Sequence, residues 1–208
     1  DRIVFCSAFA VVGPGDGKGE AQPVPEDHPR KPATLYGSTK LFCEDMGTTY
    51  EKKYGIEFVA LRFGNLYGPG RTLGRHAPYP VIDMIADAAV KGKPIGVVHQ
   101  PDIKYEFTYT RDIARGIVLA HNSRNIQHRL FNIGSGELAT LRDAVEIVKK
   151  IIPQAEIRIK PEEKHTPTHL PRVVLDSSRA RRELGFAAKY TLGTGLADYI
   201  DILQRLNV

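Results

Sequence analysis

Short runs of β-branched and aromatic residues alternate along the chain with longer segments of helical periodicity. The first run covers residues 3–6, and residues 34–53 follow with apolar side chains at helical spacing up to Gly55. A second strand-like run, residues 56–62, comes directly after that helix. Strands that alternate with helices pack as a largely parallel sheet covered by the helices. The pattern therefore predicts an α/β fold.

The rest of the chain continues the alternation. Further strands are predicted at residues 95–99, 106–109, 129–133, 156–159 and 173–175, and further helices at residues 81–90, 113–121, 141–152, 176–184 and 192–206. Thr140 and Asp143 form a capping-box-like helix start, and Thr110 is a candidate cap for the helix at 113–121. Asp112 is interpreted as a helix-capping carboxylate and not as a catalytic one.

The composition limits the classes of partner. The chain has 208 residues, of which 42% are hydrophobic and 25% charged, so a buried core is expected. The net charge is +5, but the basic residues are scattered, which argues against nucleic-acid binding. No apolar run of about 18 residues is present, so no membrane span is predicted. Two cysteines without metal-ligand spacing predict neither a metal site nor a disulfide framework.

The same features predict a cytoplasmic protein, because two cysteines suit a reducing compartment and no signal peptide is visible. The chain opens at Asp1 and enters a strand-like run directly. We therefore expect it to be a piece of a longer protein.

A tyrosine and a lysine four residues apart, Tyr36 and Lys40, lie at the start of the first long helix. Loops rich in glycine and proline, residues 13–32 and 64–80, flank that helix and its following strand, as loops around a site often do. At this spacing both side chains project from one helix face. A phenol with a pKa near ~10 is a poor base at neutral pH, and a neighbouring ammonium favours the phenolate. The pair therefore predicts proton exchange with a substrate hydroxyl.

Several longer motifs occur in one order along the chain. They are the strand at residues 4–8 with its exit at 11–13, the helix start at 36–44, the segment 61–71, the segment 107–113, the turn at 131–136, and residues 176–180 with Leu184 and Gly185. In this order they resemble the extended short-chain dehydrogenase/reductase family, in particular its NAD-dependent epimerase/dehydratase branch, which includes UDP-glucose 4-epimerase.

The resemblance implies a Rossmann-type parallel sheet, incomplete at the N-terminus, with a smaller C-terminal α/β substrate lobe. Residues 1–76 correspond to the C-terminal part of the NAD(P)-binding Rossmann domain with the catalytic helix. Residues 77–208 correspond mainly to the substrate-binding lobe, interleaved with the sheet around residues 95–135. The glycine-rich phosphate loop of the family has no counterpart in this sequence.

The resemblance also implies the roles of particular residues. Tyr36 is the acid/base, and Lys40 activates it and holds the cofactor ribose. Phe63 and Gly64 lie along the nicotinamide, and Asn65 contacts the substrate. The implied cofactor is NAD, with NADP still open. The implied partners are a small-molecule substrate, in this branch a nucleotide sugar, and a second copy of the chain in a homodimer.

The sequence departs from the family at the substrate side. The family's catalytic serine or threonine aligns with Ala8, so that Ser7, one residue earlier, is the candidate hydroxyl. Nucleotide-sugar members have an arginine where Tyr105 stands and another around Thr166 and Pro167, each gripping the diphosphate, and neither is present here. The residues that could compensate are Arg71, Arg75, Lys104 and Arg172.

These departures keep two alternatives open. One is a dehydrogenase of a small hydroxy acid, sugar acid or amino alcohol, as threonine-dehydrogenase-like members of the family are. The other is a cofactor-binding relative without turnover.

Overall fold

A computed structural model describes residues 1–13, 23–70, 81–99, 101–159 and 174–206. The strands are β1 (Arg2–Ala8), β2 (Pro23–Val24), β3 (Glu57–Phe63), β4 (Asn65–Tyr67), β5 (Ile95–Val98), β6 (Tyr105–Tyr109), β7 (Leu130–Ile133), β8 (Leu138–Ala139), β9 (Ile157–Ile159) and β10 (Val174–Leu175). The helices are α1 (Leu35–Tyr54), α2 (Val81–Val90), α3 (Thr110–Asn122), α4 (Leu141–Ile151), α5 (Ser178–Leu184) and α6 (Leu192–Leu206).

A three-stranded parallel sheet in the order β1-β3-β7 lies at the centre of the first core. Nearly every residue of β3 is buried, as expected for an inner strand of a parallel sheet covered on both faces. Helices α1 and α3 pack on β1 and β3, and α5 packs on β7. The core between them is built largely from aliphatic and phenylalanine side chains, among them Val59, Leu61, Phe131, Ile133 and Leu184.

A second core forms where α2, α4 and α6 pack on one another and on nearby strands. Strand β4 pairs in parallel with β6, and β6 pairs antiparallel with β8. Strands β5 and β9 form a separate parallel pair, and so do β10 and β2. Because β4 follows β3 after the single residue Gly64, the two cores meet at the C-terminal end of the parallel sheet.

Helix α1 is held close to the sheet along its length. At its start, the Thr34 hydroxyl accepts a hydrogen bond of 3.0 Å from the backbone N–H of Gly37. At its end, Gly55 adopts the left-handed conformation with φ of +70°, which terminates the helix. In the middle, a Cβ on Gly47 would lie 2.2 Å from the Phe58 ring, so the glycine permits close approach to β3.

The α/β architecture and the main elements confirm the sequence predictions, including the capping box of Thr140 and Asp143. Two capping predictions were wrong. Thr110 is the first residue of α3, and its hydroxyl donates to the carbonyl of Pro69. The Asp112 carboxylate accepts the backbone N–H groups of Lys189 and Tyr190, so it fastens a distant segment to α3.

The short strands β2, β4 and β8 were not predicted. Of the helices within the described ranges, none has the length and hydropathy needed to cross a bilayer.

Candidate active site

The first turns of α1 lie beside the C-terminal half of β1, and they bring the predicted pair together. The Lys40 ammonium donates a hydrogen bond of 2.8 Å to the carbonyl oxygen of Cys6. The same nitrogen lies 5.6 Å from the centre of the Tyr36 ring and 5.0 Å from the centre of the Phe5 ring. The two side chains therefore share one helix face at the end of a parallel strand, where ligands of such sheets bind.

The phenol of Tyr36 is 58% exposed and open to an incoming ligand. Partial burial, followed by the Cys6 thiol, raises the pKa of Tyr36 above its ordinary value. The sequence predicted the opposite direction, because Lys40 was expected to favour the phenolate. The ammonium is instead directed at the Cys6 carbonyl and the two aromatic faces, so it does not compensate for the burial of the phenol.

Ser7, predicted as a catalytic hydroxyl, lies in the interior. Its side chain is buried, and its hydroxyl donates a hydrogen bond of 2.6 Å to Oε1 of Glu44. Ala8, which follows it at the end of β1, is also buried. The structure thus brings Tyr36 and Lys40 together and places the Ser7 hydroxyl on a buried carboxylate.

Glu44 also forms a bidentate ion pair with Arg62 of β3. The Arg62 guanidinium is 0% exposed and donates to Oε1 and Oε2 of Glu44 at 2.9 and 2.7 Å. A third nitrogen of Arg62 donates to the carbonyl oxygen of Glu26 at 3.0 Å. All three donating nitrogens are satisfied, as burial of a guanidinium requires.

Ser7, Arg62 and Asn132 occupy the same register position on β1, β3 and β7. We call these three residues the buried polar row. At its far end, the Asn132 backbone N–H donates to Oε1 of Glu26 at 2.9 Å, and its side-chain amide donates to the Val24 carbonyl at 2.9 Å. The row therefore ties α1 and the segment around Glu26 to three neighbouring strands.

Sequence reasoning missed this row. An arginine inside an apolar strand and a glutamate four residues after Lys40 were the available signals.

Phe63, Gly64 and Asn65 lie at the C-terminal end of β3. Phe63 packs into the first core, and Gly64 and Asn65 are partly exposed. The Asn65 side-chain amide donates to the backbone oxygen of Glu106 at 3.1 Å. A Cβ on Gly64 would lie 3.1 Å from the Glu106 carboxylate, so a larger residue there would crowd that carboxylate.

Glu106 is a buried carboxyl at the junction of the two cores. It accepts backbone N–H groups from Gly136 at 2.7 Å and from Leu175 at 3.1 Å. Burial raises its pKa to about 7, although both hydrogen bonds favour the ionised form and act in the opposite direction. Sequence reasoning did not single it out, since it occupies one position of an ordinary strand pattern.

The remaining predicted substrate residues are Tyr105 and Arg71. Tyr105 is partly exposed on β6, and its ring meets the Phe107 ring edge-on, with 5.9 Å between centres. Arg71 lies outside the described residues.

A comparison with protein families gives a match over residues 1–134 to the model described as "NAD dependent epimerase/dehydratase family". The chain belongs to this family. The matched segment contains every candidate site residue named above, from Ser7 and Tyr36 to Tyr105. The predicted resemblance is therefore confirmed.

Individual relatives agree with the family match. The chain is 26% identical over 202 residues to the UDP-glucose 4-epimerase of Corynebacterium glutamicum, covering 92% of this chain and 59% of the relative. Among solved structures, UDP-glucuronic acid 4-epimerase from Bacillus cereus, in complex with UDP-glucuronic acid and NAD, is 28% identical with a TM-score of 0.79. That match covers 99% of this chain and 62% of the relative.

A UDP-glucose 4-epimerase structure from Thermotoga maritima has a TM-score of 0.81 at 23% identity, which supports the Rossmann-type fold. It covers 100% of this chain and 64% of that chain. The chain therefore spans less than two thirds of the length of each of these relatives.

Proposed function

We propose that the protein is an NAD-dependent epimerase that acts by hydride transfer at a secondary alcohol of a nucleotide sugar. The observation that carries the proposal is the exposed Tyr36 phenol beside the Lys40 ammonium at the end of a parallel strand. Family membership and the similarity to nucleotide-sugar 4-epimerases support the choice of reaction and substrate class.

The described residues suit the ribose and nicotinamide end of NAD. A phenol and an ammonium lie side by side on an accessible face, and both can hydrogen-bond to sugar hydroxyls. NAD, when bound, would accept and return the hydride, so epimerisation would leave its redox state unchanged. In this proposal Lys40 holds the ribose and Tyr36 faces the reacting alcohol.

Tyr36 is proposed to take the proton from the substrate alcohol and return it in the reverse step. Because burial raises the pKa of Tyr36, the phenol is protonated at neutral pH in the chain as it stands. The base role therefore needs positive charge closer to the phenol oxygen. The Lys40 side chain can supply it, because its four-carbon stem is flexible enough to leave the Cys6 carbonyl.

The substrate is proposed to contact Asn65 and Tyr105, with Arg71 at the diphosphate, while Phe63 and Gly64 border the nicotinamide. Asn65 and Tyr105 are both partly exposed and lie near the junction of β4 and β6. We therefore propose that the substrate binds between the two cores, where open parallel sheets bind their ligands.

The test is product analysis with the full-length protein. NAD is supplied with UDP-glucose or UDP-glucuronic acid, sugar epimers are separated by chromatography, and NADH is followed by absorbance. Formation of the 4-epimer without net NADH supports the proposal. Net NADH with a small hydroxy acid and none with a nucleotide sugar would assign a dehydrogenase. NAD binding without any turnover would assign a cofactor-binding relative.

We also propose a homodimer formed through α1. Leu35, Phe42, Met46 and Tyr50 are exposed and recur at helical spacing, and we call them the α1 stripe. Successive members are seven, four and four residues apart, so all of them lie on one helix face. The stripe is therefore suited to packing against the same stripe of a second copy. Burial of such side chains is the usual driving force for association.

A cytoplasmic location is part of the proposal. Cys6 and Cys43 are both free, which suits a reducing compartment. Cell fractionation of the native protein would test it, and recovery in a secreted fraction would contradict it.

A further inference from the structure

Glu44 lies on the face of α1 that carries Tyr36 and Lys40. The three residues follow one another at intervals of four, so they form one line along the helix. The line runs from the exposed phenol of Tyr36 to the buried carboxylate of Glu44. Whatever fixes Glu44 therefore also fixes the rotation of α1 about its axis.

Two adjacent residues of β1 contact Lys40 and Glu44, which lie on successive turns of α1. The Cys6 carbonyl accepts the Lys40 ammonium at 2.8 Å, and the Ser7 hydroxyl donates to Glu44 at 2.6 Å. A sliding or turning of α1 over β1 would break both contacts. Both contacts set the register between helix and strand, and the Ser7–Glu44 contact keeps it when Lys40 turns from the Cys6 carbonyl towards the phenol.

The Arg62 fork adds an angular constraint. A guanidinium that donates to both oxygens of one carboxylate fixes the plane of that carboxylate as well as its distance. Arg62 cannot shift freely, because it is fully buried and also donates to the Glu26 carbonyl. The carboxylate of Glu44 is therefore held in one orientation by the strand next to β1.

We propose that Glu44 is a positioning residue, which Arg62 and Ser7 hold so that Tyr36 and Lys40 stay aligned over the end of β1. The inference rests on the proposed function and assigns Ser7 to this arrangement in place of contact with substrate. A buried ion pair contributes little net stability compared with apolar side chains of similar size. Its particular contribution here is the orientation of the catalytic helix.

The experiment replaces the ion pair with apolar side chains in the full-length protein, as Glu44→Leu/Arg62→Met. The matched control is Asp201→Leu/Arg205→Met, which removes an exposed ion pair on α6. Thermal unfolding, kcat, KM and backbone hydrogen exchange are measured for both variants. Arg62→Lys is added because it keeps the buried positive charge and loses the fork.

The double variant leaves the buried Ser7 hydroxyl and Glu26 carbonyl without partners, so it is expected to fold but to unfold somewhat below the wild-type temperature. It is expected to lose at least about tenfold in kcat with little change in KM, because misplacement of about 1 Å has large effects. Exchange in residues 38–44 should accelerate, while residues 130–133 stay protected. Arg62→Lys should also lower kcat, although it keeps the buried positive charge. The control Asp201→Leu/Arg205→Met should resemble wild type. Wild-type kcat and wild-type exchange in a stable double variant would overturn the inference.

If the double variant does not fold, Ser7→Ala tests whether Glu44 positions Tyr36 and Lys40. It removes one hydrogen bond to Glu44 and should lower kcat about three- to tenfold, far less than loss of an acid/base group would. An unchanged kcat would overturn the inference. If wild-type protein turns over no nucleotide sugar, the proposed function fails, and the exchange of residues 38–44 in Ser7→Ala still decides whether Glu44 is held as described.

Discussion

The hydroxyl of Ser7 donates to the carboxylate of Glu44 across 2.6 Å, in the interior between β1 and α1. The next residue, Ala8, is the one that the resemblance predicts to align with the family's catalytic hydroxyl, and it carries only a methyl group. Strand β1 therefore ends with one hydroxyl already bonded inside the protein and none at the expected position beside Tyr36. Of the candidate residues that the structure describes, Tyr36 and Lys40 would then carry proton transfer in the proposed reaction.

Ala8→Ser is expected to raise kcat by at least about tenfold, because a correctly placed donor that stabilises developing charge contributes a factor of 10²–10³. The control is Ala88→Ser on α2, outside the proposed site, which should leave kcat unchanged. Steady-state kinetics with the nucleotide sugar is the measurement. If Ala8→Ser turned over no faster than wild type, the missing hydroxyl would not limit the reaction.

Glu106 should make stability fall with rising pH. Its pKa is about 7 in the folded protein against an ordinary value of 4.5, so between these values the folded state holds a proton that the unfolded chain has released. The contribution of Glu106 to the free energy of unfolding is therefore fully present below pH 4.5. It is lost as the pH rises through about 7, which lowers the free energy of unfolding by about 3 kcal/mol.

The free energy of unfolding, measured with urea across this pH range, should fall with rising pH in wild type and in the exposed control Glu137→Gln. This slope should be absent in Glu106→Gln. Equal slopes in wild type and Glu106→Gln would show that the carboxyl is already ionised when buried.

Gly37 should tolerate no side chain. A Cβ there would lie 2.4 Å from the carbonyl oxygen of Ala10, and a backbone atom cannot move aside as a flexible side chain can. Gly37→Ala is expected to cost about 1–3 kcal/mol and to lower kcat, since the first turn of α1 must shift. The control Gly193→Ala in α6, where the nearest atom is 3.8 Å away, should be neutral or stabilising by up to about 1 kcal/mol. A Gly37→Ala variant as stable and active as wild type would contradict the close packing described here.

The α1 stripe is tested with the two methionines of the chain. Met46 lies in the stripe and is 41% exposed, and Met84 lies on α2 and is 52% exposed. Met46→Glu should convert a dimer into a monomer in sedimentation velocity, because like charges would face each other across the symmetric interface. Met84→Glu should leave the assembly unchanged. A wild-type monomer, or a dimer that survives Met46→Glu, would locate the interface elsewhere or remove it.

The sequence was sufficient for features that depend on local patterns. The helical spacing of α1, its end at Gly55 and the capping box of α4 all follow from neighbouring residues, and the structure agrees. The pairing of Tyr36 with Lys40 was also predictable, because four-residue spacing fixes it on any helix.

Features that depend on distant segments were not predictable in this way. The partners of Arg62 lie on α1 and near Glu26, and those of Glu106 lie at Gly136 and Leu175. The predicted direction of the Tyr36 pKa shift was wrong for the same reason. Spacing predicted that Lys40 would be near, but not that the Cys6 carbonyl would take its ammonium.

The most direct test of the account compares two tyrosines of the same helix. Tyr36→Phe removes the phenol oxygen proposed as acid and base, and Tyr54→Phe removes the same atom from an exposed residue at the other end of α1. We predict that kcat for nucleotide-sugar epimerisation falls about 10²- to 10⁴-fold in Tyr36→Phe and stays at the wild-type value in Tyr54→Phe. Equal kcat values in the two variants would contradict it.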